Sequence, residues 1–303
     1  MIAAPRSVRR LWAALGILLA VGSAAYIHFL VTGSYDLLVL FFRNPGSAFF
    51  VVIAGIEAYL ARRAYSQFEF SEPMHTVWTL VFMSACCRLT GAALGQVLSA
   101  DIPWNPLVVF KLFHLNQSGN WRDLGLVIGG PAAMAFLGAG LMYAIVLTRR
   151  LGVLSRLTTA DWMLIAIIAT FTARELFEIG VIVFVRHERA SVTQTLLWFS
   201  DPLLTLLLMQ AVSIRRSVLN MGQGLVARCW GMMAAGVAFT SAGDVALWAE
   251  SHGLIPTTLS PLGWFIWFFA ATAFASAPCY QIEAVRLAHE GSYTAPFSKS
   301  FST

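Results

Sequence analysis

Eight stretches of the chain are apolar for about 20 residues, the length a helix needs to cross a bilayer. They lie near 11–32, 48–65, 73–98, 123–148, 159–184, 192–214, 222–249 and 259–285. None shows the two-residue alternation of a barrel wall, and a backbone in lipid must satisfy its own hydrogen bonds, so the pattern predicts helices. The predicted fold class is all-α. One polytopic integral membrane helical bundle is expected over 1–303, with both termini cytoplasmic and a short cytoplasmic tail at 286–303. The second stretch is the shortest and can begin earlier than 48.

Arg6, Arg9 and Arg10 precede the first stretch, and Val21-Gly22-Ser23-Ala24-Ala25 inside it has the look of a signal-peptide end. The apolar run continues through Phe29, Leu30 and Val31, beyond the usual 7–15 residue signal core, so a retained first helix is expected. The longest connection runs from Ser99 to Trp121. Its apolar piece Leu107-Val108-Val109-Phe110-Lys111-Leu112-Phe113 is expected to form an interfacial turn helix, with a re-entrant lid as the alternative.

Composition narrows the class. The chain is 58% hydrophobic and 12% charged, with a mean hydropathy of +0.72, against about 25% charged residues in soluble domains. A water-soluble or disordered chain is excluded. Nucleic acid is not an expected partner, because the +5 net charge comes from scarce ions scattered between apolar runs. Arg6, Arg9, Arg10, Arg62, Arg63, Arg149, Arg150, Arg156, Arg215, Arg216, Arg228, Arg286 and Lys299 fall on one side, and only Arg43, Lys111, Arg122, Arg186 and Arg189 on the other. By the positive-inside rule the first side is cytoplasmic. An inner (cytoplasmic) membrane location and contact with anionic lipid at that face follow as expectations.

Seven charges fall inside the apolar stretches: Glu57, Arg88, Arg174, Glu175, Glu178, Asp201 and Asp244. Each costs at least about 2.5–3.5 kcal/mol near the bilayer centre unless it is paired or hydrated. Counted from the outer ends at 1.5 Å per residue, Glu57, Arg88, Arg174, Glu175 and Asp201 come out roughly 14–15 Å deep, with Glu178 and Asp244 at about 8–9 Å. One outward-opening polar pocket is therefore expected. Arg174, Glu175 and Glu178 share a sector of the fifth helix. On the third, Ser84, Arg88, Gly91 and Gly95 share a small-residue face that permits close helix approach, and Gly236, Thr240 and Asp244 line up on the seventh. Asp201 precedes Pro202, which removes the hydrogen bond to the Trp198 carbonyl and favours a kink.

The plain reading of these charges is structural, as ion pairs that lock helices in register. Against it stands stoichiometry, since two arginines cannot neutralise five acids, and a surplus carboxylate in low dielectric takes up a proton or a cation. The expected function is a secondary carrier binding a proton, cation or small basic solute. A non-catalytic sensor or accessory subunit of a membrane complex is the alternative, with Arg215 and Arg216 as contacts for a membrane-protein partner or for lipid.

Other chemistries fit less well. Lys111 and Lys299 are the only lysines and neither lies in a late helix, which excludes a retinal Schiff base. The histidines sit near the two faces, and no CxxCH or HExxH occurs, so neither haem nor metal is assigned and no cofactor is named. Cys86, Cys87, Cys229 and Cys279 lack zinc or redox spacing. Phe199-Ser200-Asp201 and Ser241-Ala242-Gly243-Asp244 loosely resemble the paired acids of presenilin-like proteases, which would imply an intramembrane aspartyl hydrolase. Ser200 stands where that family has Tyr, Ser241 where it has the first Gly, and only Ser260-Pro261-Leu262 follows in place of PAL, so the family is not assigned.

Overall fold

The computed structural model describes residues 4–98, 121–152, 156–185, 196, 200–220 and 224–289. Among them eight long helices follow one another: α1 (Arg6–Thr32), α2 (Asp36–Tyr65), α3 (Pro73–Leu98), α4 (Trp121–Val127, Ile128–Ala132 and Ala133–Arg150), α5 (Thr159–Gly180), α6 (Ser200–Asn220), α7 (Leu225–Ser251) and α8 (Ser260–His289). The described residues contain no strand. Six helices, all but α5 and α6, are long and apolar enough to cross a membrane. The connection from Ser99 to Asn120, the residues 192–195 and 197–199 before α6, and the tail beyond His289 lie outside the described residues.

Helix α2 is longer than the apolar stretch at 48–65 that predicts it. Proline lacks a backbone N–H and its ring meets the carbonyl four residues back, which ends or kinks an α-helix. Here the chain instead widens into a π turn over Phe42–Gly46, with Pro45 inside it, and continues as one helix from Asp36 to Tyr65. Helix α4 does the same around Pro131, over Ile128–Ala132. A depth for Glu57 counted down from residue 48 therefore starts in mid-helix.

Local signals set the other ends. The chain leaves α1 through Gly33 at φ 71°, in the left-handed region, and the Gly33 N–H donates to the Phe29 carbonyl. Thr158 and Asp161 cap α5 reciprocally: the Thr158 hydroxyl accepts from the Asp161 N–H while the Asp161 carboxylate accepts from the Thr158 N–H.

Helix α8 runs through the middle, packed against α7, α2 and α1. Helix α3 lies between α2 and α4, and α6 links α4 to α7. Helix α5 is peripheral, packed on α6. Lipid is as apolar as leucine, so helix association here depends on close packing more than on a hydrophobic drive. Glycines supply that closeness: Gly22 sits under Phe41 and Phe265, Gly236 under Phe274, and Gly91 against the Gly129 backbone. The aromatic cluster of Phe29, Phe41, Phe42, Phe265 and Phe268 fastens α1 and α2 to α8.

Candidate functional site

The inward face of α2 carries Ile53, Ala54, Glu57, Ala58, Ala61 and Ala64, all buried. Four alanines let α3 come close, and Glu57 stands among them only 2% exposed. Its partner is Arg88 of α3. The Arg88 Nε donates to Glu57 Oε2 at 3.1 Å, and Nη2 donates to Oε1, a two-pronged contact. The third arm, Nη1, donates to Ser84 Oγ at 2.8 Å, and that hydroxyl donates at 2.6 Å to the carbonyl of Ala133, the residue that follows the π turn of α4. The guanidinium lies 4.6 Å from the centroid of the Phe274 ring on α8. Phe274 is in turn backed by Gly236 of α7, where a Cβ would stand 2.7 Å from the ring.

Five helices thus converge on one guanidinium. Placing two ions in low dielectric costs several kcal/mol each, which only good geometry and further hydrogen bonds offset. Fork-to-fork pairing, the Ser84 bond and the ring face supply that geometry.

The other intramembrane charges fall into separate groups. Arg174 Nε donates to Glu178 Oε1 at 3.1 Å along α5, as their four-residue spacing predicts, with side chains 49% and 37% uncovered. The same carboxylate faces His252 Nε2, just past the end of α7, at 3.4 Å. Asp244 accepts from Trp267 Nε1 of α8 at 3.1 Å. Glu175 and Asp201 belong to α5 and α6, and their side chains lie outside the described residues, as does Trp198 beside the expected Pro202 kink. Near the arginine-rich end, Arg216 of α6 is engaged by Asp161 of α5 through Nε and Oδ2 at 2.8 Å.

The small-residue face predicted on α3 is present as far as Gly91. The α7 face reads likewise: the Thr240 hydroxyl donates to the Gly236 carbonyl, and both Gly236 and Asp244 meet α8. Phe274, Ala133, Trp267 and His252 carry no mark in the sequence that would join them to these charges. They are reached only across helix interfaces.

Trp267 holds its place because Gly243 has no side chain, since a Cβ there would lie 2.3 Å from Nε1. Gly243→Ala should push the indole away and remove the Trp267 hydrogen bond to Asp244. Trp267→Phe should strip the donor alone. The expected cost for Trp267→Phe is about 1–3 kcal/mol, with Gly243→Ala costing more. Thermal unfolding of the purified variants in one detergent checks that order.

Chemically, the central group is a compensated charge pair. Both Glu57 oxygens are engaged by Arg88, whose guanidinium also holds Ser84 and the Phe274 face. No protein-family model, curated protein or solved structure matches this chain.

Proposed function

We propose that the protein is a proton- or cation-coupled secondary carrier in which Glu57 exchanges Arg88 for the coupling ion. One observation carries the reading: the buried Glu57–Arg88 pair joins α2 to α3, and the two helices that flank α3, α2 itself and α4, are each interrupted by a proline-bearing π turn. Carriers place their ion sites near interrupted helices, because a break in the helical ladder both frees polar backbone groups and permits bending. The Ser84 bond to Ala133 couples the guanidinium to the end of one such turn.

Helices α5 and α6 count here as two further spans, making eight in all. The proposal places both termini in the cytoplasm of a cell whose inner membrane holds the protein, on the strength of the arginine distribution. It assigns Glu175, Glu178, Asp201 and Asp244, with Arg174, to the solute route opening on the far side.

Proteoliposomes with a trapped pH dye or sodium dye, under an imposed potential, test it. Flux should fall at least 100-fold in Glu57→Gln, and less in Asp201→Asn or Asp244→Asn. Undiminished flux in a folded Glu57→Gln protein defeats the proposal. The sensor or accessory-subunit reading draws on a different observation. Helix α5 and the π turn Val181–Val185 that continues it leave Trp162, Phe177 and Phe184 between 56% and 77% uncovered. Purification from native membranes in a fixed stoichiometric complex, without intrinsic flux, would favour that reading.

A further inference from the structure

Below the Gly22–Phe41 contact, α1 and α2 separate. Helix α1 packs on the Asp36–Phe41 segment and touches the π turn, then parts from Ser47–Tyr65. The gap is a groove of about 360 Å³ between Ala14, Ile17, Leu18 and Val21 on one wall and Pro45, Ala48, Phe49 and Val52 on the other. No lining residue carries a polar side chain, so water gains nothing there.

Helical spacing extends both walls to arginine. Arg10, Ala14, Ile17 and Val21 follow one another at i, i+4, i+7 and i+11 along one stripe of α1. Ala48, Val52, Tyr59 and Arg63 follow at i, i+4, i+11 and i+15 along one side of α2. Arg10, Tyr59 and Arg63 are all exposed. The two stripes reach the same end of the bundle: the Trp12 indole donates to Ser276 of α8, while Phe50, further from that end, stacks on Phe268 of the same helix. An apolar groove open along one side, with an exposed arginine further along each wall, has the chemistry of an acyl chain joined to a phosphate.

We propose that this groove binds an anionic phospholipid from the leaflet on the arginine-rich side, one acyl chain between α1 and α2 and the headgroup phosphate on Arg10 and Arg63. The site is independent of the Glu57–Arg88 pair, and the carrier proposal can fail without affecting it.

Native mass spectrometry of the full-length protein, titrated in detergent with phosphatidylglycerol or with phosphatidylcholine of the same acyl chains, tests the assignment. Phosphatidylglycerol should be retained at least tenfold more tightly. Arg10→Gln with Arg63→Gln should weaken it about fivefold per arginine, as expected for basic groups at an anionic surface. Ala14→Phe with Ala48→Phe, which fills the slot and leaves both arginines, should abolish the preference. All four positions are exposed, so the lipid-free thermal midpoint should not move. Equal retention of the two lipids overturns the proposal, as does undiminished phosphatidylglycerol retention by the slot-filled variant. Efficient disulfide dimerisation of Ile17→Cys in membranes would also overturn it, because the slot would then hold a second copy of the chain.

Discussion

Arg88→Leu and Glu57→Leu should each destabilise the protein by about 3–5 kcal/mol, while the double variant should recover most of that loss. Removing one member of a buried pair strands the other charge in low dielectric, whereas removing both leaves an apolar contact of similar volume. At 2% exposure, Glu57 has almost no access to compensating solvent. Stranded Arg88 keeps Ser84 and Phe274, so Glu57→Leu is expected to be the milder of the two single changes. The single variants should unfold on the order of 10 °C below the parent and the double variant within a few degrees of it. A double-mutant cycle in one detergent reads the coupling directly. Additive losses would mean that the two side chains do not share an interaction, contrary to the contacts at Arg88 Nε and Nη2.

The same cycle separates structure from transport. If the pair only locks α2 to α3, the double variant regains both stability and whatever flux the parent has. If Glu57 carries the coupling ion, the double variant is stable and inactive.

Gly91→Ala is expected to produce the second large loss. A Cβ there would lie 2.5 Å from Gly129 Cα and 2.7 Å from both the Gly129 nitrogen and the Gly125 carbonyl oxygen. Every obstructing atom is backbone, so no rotamer change can relieve the contact and the two helices must separate. Overpacking of this kind costs about 1–3 kcal/mol and sometimes more. Gly129→Ala points its methyl at Gly91 Cα from 3.1 Å and should cost clearly less. The site magnifies the difference, because Gly91 is three residues from Arg88 and Gly129 lies within the π turn that precedes Ala133. Separation of α3 from α4 should therefore also loosen the Ser84 bond. Thermal midpoints for the two alanine variants, with Gly16→Ala as a control where nothing lies within 4 Å, check the ranking. Equal midpoints for Gly91→Ala and Gly16→Ala would contradict the close crossing.

The helices themselves, their helical character and most of their ends were legible in the sequence, because length and apolar composition are local properties that lipid reads residue by residue. The Ser84, Arg88 and Gly91 face of α3 was legible too, since 3.6-residue periodicity places those side chains together whatever lies opposite. So was the Arg174–Glu178 pair, which is internal to one helix. Three things escaped. Proline at 45 looks like a boundary in one dimension, and only the packing of α2 against α1 and α8 shows the helix passing through it as a π turn. The depth of Glu57 was counted from the start of that stretch and shifts with it. The partners Phe274, Ala133 and Trp267 come from other helices.

What the sequence by itself determined is a helical chain of membrane-length apolar stretches, eight by its own reading where six of the described helices are long and apolar enough to cross, and the fact that seven charges would need shelter. The tertiary structure alone decided the partners that come from other helices: Arg88 for Glu57, His252 for Glu178 beside its own-helix partner Arg174, and Trp267 for Asp244. The physical reason is that helices apolar all round bear no stripe announcing an inward face. In lipid their rotation about their own axes is set by where glycine lets another backbone or ring approach, and that is a property of pairs of helices.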